Sequence, residues 1–338
     1  MANESKVMEP TRWSLDDLYP SGDSREMQAA FAELENLVGA FEKVRPELKD
    51  DIPFEHFLRI IQDMEAIVKL MQRIGGYAEL WFSEDTQNQS AMSLLAKIEQ
   101  LSADISNRVL FFSLWWKDLD DKAAQRLIKN SGDYRYWLEE MRHFKPHTLS
   151  EPEEKIINIK DVTGSNALIT LYDSFTNRYT FKINVKGEEK EITRGELMTY
   201  VRMPDADLRA SAYRELYRVF GQDGTILGQM YQTVVRDWRN ENIGLRHYAS
   251  PISARNLGND IPDEVVDTLL EVCGQNAPIF QRFFKLKARL LKMDRLRRYD
   301  IYAPIAASAK EFSLGHGVEL IMDAFDSFDP RFAGLAMQ

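Results

Sequence analysis

The stretch FEHFLRIIQDMEAIVKLMQRI, from Phe54 to Ile74, decides the fold class. Its apolar residues Phe57, Ile61, Met64, Val68, Met71 and Ile74 recur at three- and four-residue steps. That spacing is the apolar stripe of an amphipathic helix, not the alternation of a strand. The same period runs upstream through Met27, Ala30, Phe31, Leu34, Leu37, Val38, Phe41 and Val44. Downstream it runs through Leu94, Ile98, Leu101, Ile105, Val109 and Phe112. Each stripe needs a partner to bury it, so the three together predict a mostly α, multi-helix architecture. Aromatics then thicken: Phe111, Phe112, Trp115, Trp116, Tyr134, Tyr136 and Trp137. At helical spacing they are expected in the core.

One segment breaks the helical period. Tyr179, Phe181, Ile183 and Val185 alternate with Thr180, Lys182 and Asn184, and Lys186-Gly187 supplies a turn. A polar run then ends at Ile192 and Thr193. This predicts a β-hairpin that must lie on helices or another strand, because an isolated hairpin is marginal. The chain then returns to helix. Thr193 and Glu196 have capping-box spacing, as do Ser308 and Glu311. Asp205 or Asp207 is placed to cap a helix carrying Leu208, Ala212, Leu216 and Val219, and Leu227, Tyr231, Val234, Val235 and Trp238 form the next stripe. Pro262 reads as a first helical residue and Gly274 as the residue just past a helix end. The seams are expected as loops around 117–121, 146–163 and 248–262.

The 338 residues carry 43 basic and 53 acidic side chains, a net charge of -10. A negative total disfavours nonspecific nucleic-acid binding, which needs phosphate-neutralising cations. One local exception runs from Arg282 to Arg298, with eight basic residues and one acid, Asp294. It reads as the solvated face of an amphipathic helix whose Phe283, Phe284, Leu286, Leu290, Leu291 and Met293 are buried. Steeply salt-dependent nucleic-acid binding would favour the other reading of that stretch. The single cysteine, Cys273, excludes an intramolecular disulfide framework and points to a reducing compartment. Among Leu269, Leu270 and Val272 it reads as a buried structural thiol. No run approaches the roughly 18 apolar residues of a membrane span, and residues 1–10 have no apolar signal core. A cytoplasmic protein without membrane or nucleic-acid partners is expected.

No Walker loop and no Gly-x-Ser-x-Gly elbow is present. Of five histidines, His143 and His147 alone have the i, i+4 spacing that puts two imidazoles on one helix face. The metallopeptidase motif needs Glu after the first of them, as base for metal-bound water; here Phe144 stands there, and Pro146 sits inside the pair. A loop with hydrogen-bonded histidines is expected instead. Near His316, Phe312 and Ser313 stand where the first zinc histidine and the base would be, so that fragment carries no site. The carboxylate pairs Glu153-Glu154 and Asp120-Asp121 read as solvated faces.

A set of stretches is nonetheless recognisable together. Trp13-Ser-Leu-Asp-Asp-Leu-Tyr19 resembles the opening of the oligoendopeptidase F family of zinc metallopeptidases. Arg142-His-Phe-Lys-Pro-His-Thr-Leu-Ser-Glu-Pro-Glu-Glu-Lys155 is similar to the family's stretch before its hairpin, and Leu171-Tyr-Asp-Ser174 with the Phe181 strand continues the likeness. Arg209-Ala-Ser-Ala-Tyr213, Tyr248-Ala-Ser-Pro251 and Tyr299-Asp-Ile-Tyr-Ala-Pro304 follow in the family's order. The resemblance covers residues 12–338.

The resemblance implies a two-lobed, almost all-helical peptidase around a deep channel, hydrolysing short oligopeptides in the cytoplasm. It implies a zinc ion, held by a His-Glu-x-x-His helix and a later Glu, that activates water. No His-Glu-x-x-His occurs in this sequence, so no zinc ligand and no catalytic base carries over onto any residue. The expectation is an N-terminal portion with an incomplete catalytic lobe, inactive alone, whose missing C-terminal catalytic half is a partner. A truncated, proteolysed or frameshifted product would each give such a chain. Residues 1–116 are expected to form an N-terminal helical lobe and 117–195 a helix plus the hairpin. Residues 196–338 would open the catalytic domain. Candidate peptide-binding wall residues are His247, Tyr248, Arg255, Asn256 and Asn259, which combine hydrogen-bond donors with an aromatic face. Uncovered apolar positions Met322, Phe325, Phe328 and Phe332 predict homo-oligomerisation through the C-terminal end. The alternative is a noncatalytic helical module that binds peptide or protein on the same surface.

Overall fold

The computed structural model describes residues 14–305 and 312–337. Ser308, Glu311 and Trp13 lie outside these, so the second capping box and the first residue of the family-like opening stretch are not described. Residues Leu15–Ala303 form one compact unit. It begins with α1 (Arg25–Glu42), α2 (Phe54–Glu84), α3 (Gln89–Asp118), α4 (Asp121–Ile128) and α5 (Arg135–His143). Side-chain oxygens cap the orphan amides at three of these helix starts: Ser24 on α1, Asn88 on α3 and Asp120 on α4. The predicted stripes of α1, α2 and α3 meet in one core, with Met27, Leu34, Val38, Phe41, Phe57, Ile61, Ile74, Ile98, Ile105 and Phe112 all buried. Val68 is the stripe position left exposed. Trp116 is fully buried; its indole stacks on Phe57 at 5.2 Å and donates from Nε1 to the Leu138 carbonyl at 2.9 Å. Tyr136 and Trp137 are exposed, contrary to the expectation of core burial, because they lie on the outer face of α5 away from buried Leu138.

The seam expected at 146–163 is mostly helix. Ser150 and Glu153 form a capping box that starts α6 (Glu151–Thr163), and α7 (Ser165–Thr176) follows after Gly164. Glu153 therefore works as a cap, and Asp121 pairs with Arg142 at 2.6 Å. The hairpin forms as read: β1 (Phe181–Val185) pairs antiparallel with β2 (Glu188–Ile192), Phe181 opposite Ile192. Lys186 and Gly187 both adopt positive φ, which gives the two-residue turn that matches strand twist. Phe181 and Ile183 face a second core, made with Leu197 of α8 (Arg194–Tyr200) and Ala212 and Val219 of α9 (Ala206–Gln222). Thr193 with Glu196 caps α8, and Asp205 caps α9, as their spacing predicts.

The remaining helices of this unit are α10 (Gly224–Arg239), α11 (Pro251–Gly258) and α12 (Asp263–Leu290). So the 248–262 seam contains a short helix rather than only loop. Pro262 stands at the N-cap position of α12, one residue before its start, rather than as its first helical residue. Gly274 does not end that helix; α12 runs through it and through Pro278 for 28 residues. Pro278 has no amide proton to give the carbonyl four residues back, and that residue is Gly274. Cys273 is exposed, not buried. Phe283, Phe284, Leu286 and Leu290 are exposed too, which corrects their reading as buried positions. The reason is the same in each case: among the described residues little packs on α12, and only Lys287 and Ala288 within it are buried.

Three buried charged side chains, Arg209, Asp300 and Lys287, hold the end of this unit. Arg209 of α9 donates to Asp300 at 2.8 Å and to the Met203 and Pro204 carbonyls, and Arg297 closes on the same carboxylate at 2.7 Å. Lys287 donates to the Ile301 carbonyl at 2.6 Å. In the other unit, α13 (Leu314–Phe328) and α14 (Pro330–Ala336) bring Phe328 and Phe332 edge to face at 5.4 Å. Phe325, Phe328 and Phe332 are exposed and Met322 is partly buried.

Candidate functional site

A polar centre that joins distant segments lies where α10 ends. The helix continues as a π-helical segment, Asn240–Leu245, a geometry often found at functional sites. It delivers Arg246, whose Nε donates to Glu241 at 2.6 Å. The two Nη atoms fork onto Glu154 of α6 at 2.7 and 2.8 Å. Glu154 also accepts the Leu149 amide at 2.9 Å. Burial alone would raise this carboxyl, but Arg246 and the Leu149 amide hold it below the ordinary range. Glu154 is thus a buried anchor, not part of the solvated pair it reads as. Nothing local in the sequence marks it, because its partner is 92 residues away.

His147 completes the centre. Its Nδ1 lies 2.8 Å from the Arg246 carbonyl, and Arg246 donates back to the His147 carbonyl at 3.2 Å. The Tyr248 ring stacks on the imidazole, 3.7 Å between centroids and 15° between planes. Tyr248 is buried there, and burial raises its phenol above the usual value. His247, between Arg246 and Tyr248, takes a positive φ of 58° and is exposed. Around the rim, burial pulls the Lys117 ammonium down, and burial together with nearby Glu241 and Asp237 raises the Asp161 carboxyl.

The five wall residues divide into three groups. Arg255 and Asn259 line a cavity of about 200 Å³ with Trp238 and Asn242. Asn256 is buried; its Nδ2 donates to Asp263 at 2.8 Å, and its carbonyl accepts from Ile261. It fixes the turn from α11 into α12. His247 and Tyr248 lie outside that cavity. The centre can therefore present a guanidinium and amides to a polar chain, while Tyr248 and Asn256 set loop shape.

Among the described residues, no three His, Cys, Asp or Glu side chains gather so as to hold a metal ion. Four of the histidines have their own partners: His56 with Glu47 at 3.0 Å, His143 with Asp260 at 3.6 Å, His147 as above, and His316 with Glu319 at 3.5 Å. The described residues do not fit the zinc that the resemblance implies.

Residues 115–181 match the family model described as Oligopeptidase F. Oligopeptidase PepF of Bacillus subtilis is 24% identical over 319 residues, covering 91% of this chain and 46% of the relative. The plasmid-borne oligoendopeptidase F of Lactococcus lactis is 22% identical, covering 98% and 55%. The crystal structure of oligoendopeptidase-F from Enterococcus faecium superposes with a TM-score of 0.72 at 23% identity, covering 90% of this chain and 62% of that one. The chain is a homologue of the oligoendopeptidase F family. It spans about half the length of the curated relatives it matches. The oligoendopeptidase F likeness over an N-terminal portion agrees with the mostly helical fold and its one hairpin. The family model's match runs from α3 to the start of β1, and so includes His147 and Glu154. No described helix is long and apolar enough to cross a membrane.

Proposed function

We propose that this chain supplies the N-terminal lobe and one channel wall of a cytoplasmic peptide-hydrolysing enzyme acting on short oligopeptides. Its catalytic half would lie outside these 338 residues. The observation that carries this reading is the uncovered apolar side of α12, where Leu270 is 65% and Phe280 60% exposed. Large apolar side chains exposed repeatedly along one helix are what an interaction surface presents. Homology to oligopeptidases about twice as long supports a catalytic half as its occupant. Zinc held by that half would activate the attacking water; no step of it is assigned to residues here.

In this reading residues 1–116 are the helical lobe, 117–195 the helix and hairpin region, and 196–338 the opening of the catalytic domain. Arg255 and Asn259 would donate to peptide carbonyls from the wall. Tyr248 and Asn256 would hold the wall's shape, and His247 would stand at its edge. Without the other half, the apolar surfaces of α12 and α13 favour self-association. The second reading, a noncatalytic helical module, draws on the same Trp238–Asn259 cavity and predicts peptide binding without any further chain.

The test is cleavage of a fluorescence-quenched oligopeptide by the intact 39.2 kDa chain, with zinc and with a chelator. The expected result is no cleavage under either condition. Robust chelator-sensitive cleavage by a preparation of verified mass would overturn the proposal. Tight peptide binding by the chain alone would favour the second reading.

A further inference from the structure

A cavity of about 570 Å³ opens between the α1–α2 connection, the end of α3 and the segment leading into α6. It is separate from the Trp238–Asn259 cavity and shares no residue with it. Its apolar wall includes Phe111 and Trp115. Three cations line it: Arg45, Lys117 and Lys145. Two carboxylates do as well. One of them, Glu151, is already held by Arg45 at 2.6 Å and by Lys155 at 2.7 Å. The other, Asp118, is exposed, and its backbone carbonyl accepts from Lys145 at 3.2 Å.

Lys117 is the group left over. Its ammonium has no hydrogen-bond acceptor among the described residues. The carboxylate whose charge acts on it is Glu154, which Arg246 and the Leu149 amide already occupy. A partly buried ammonium with three donors and no acceptor is costly unless something supplies one. Burial duly weakens its hold on the proton. The surroundings favour an anion: cations outnumber free carboxylates locally, in a chain whose total charge is -10. They favour a single charge carried on an apolar group, because one of the three cations, Lys117, has no hydrogen-bond partner among the described residues and the wall is aromatic.

We infer that this cavity binds an apolar-tailed carboxylate, with Lys117 pairing its oxygen atoms and Phe111 and Trp115 receiving the tail. The ligand could be a peptide C-terminus or a free arene carboxylate, since both present the same chemistry. The inference stands apart from any catalytic half, so it survives or fails independently of the proposed function.

Calorimetric titration of the full chain tests it, with three probes. These are an N-acetylated tetrapeptide ending in Phe, its C-terminal amide, and 3-phenylpropionate. The expected result is binding of one or both acids, with the amide at least about tenfold weaker, the effect of losing one charge-assisted hydrogen bond. Binding of the peptide acid identifies a peptide terminus as the source. Binding of 3-phenylpropionate alone identifies a free acid. Lys117→Met should weaken the acids at least about tenfold, and Lys117→Arg, which keeps the charge, should restore much of the affinity. A circular dichroism spectrum matching the parent chain checks that Lys117→Met is folded. No binding of either acid, equal binding of acid and amide, or unchanged affinity in folded Lys117→Met overturns the inference.

Discussion

The α1–α5 region and the α10–α12 region carry the same amphipathic pattern and meet opposite fates. In the first, the stripes of α1, α2 and α3 interlock until Met27, Phe57 and Trp116 are fully buried. In the second, α10 buries no residue at all, and Tyr231 on it is 72% exposed. α12 is longer than α1, yet its apolar side lies open. The lesson is that helical periodicity reports a face that wants covering. It does not report whether the cover is present in the same chain.

The comparison can be broken most forcefully at its buried end. Trp116→Ala should cost about 3–5 kcal/mol in urea unfolding, through lost burial, a cavity and the orphaned Leu138 carbonyl. The matched change Phe280→Ala should stay within about 0.5 kcal/mol, because an exposed ring has little packing to lose. Comparable losses at the two sites would mean that α12 is covered after all.

Next in size is the fork that ties the end of the α10 segment to α6. Arg246→Met leaves Glu154 without its fork and should cost about 2–3 kcal/mol by the same measurement. The parent chain should also show a pH signature. Glu154 is held below its ordinary range when folded, so its contribution is fully present above the unfolded carboxyl value of about 4.3. It is lost as pH falls through the lower folded value. In Glu154→Gln this part of the acid dependence should vanish, seen as a flatter stability profile below about pH 4. An unchanged profile would show that the pair contributes nothing.

The smallest effect on stability is also the most selective. Leu270→Lys with Phe280→Lys should leave the unfolding midpoint nearly unchanged and lower the mass seen by light scattering toward 39.2 kDa. Continued association would move the sticky surface to α13 and α14, where Phe328 is 78% exposed.

Much of this fold was legible because its signals are local. The α1–α3 stripes, the Phe181–Val185 alternation with its Lys186-Gly187 turn, and the Thr193–Glu196 capping box each lie within a few residues. Other features were hidden because they depend on distant partners. Glu154 looks solvated until Arg246 reaches it, and Cys273 looks buried because its neighbours are apolar. Gly274 reads as a stop, but an isolated glycine costs a helix only about 1 kcal/mol, and α12 continues through it. At the candidate site, the likeness to a peptidase was readable from ordered short stretches. The stack of Tyr248 on His147 was not, since 101 residues separate them in the sequence.

The most direct test of the account is hydrogen exchange on the intact chain, at concentrations where light scattering reports a monomer. The account predicts strong protection through α2 and α3, and amides in α12 that exchange far faster, in the manner of a locally opening element. Protection of α12 equal to that of α3 would contradict it, because the helix would then be held by contacts that its exposed face excludes.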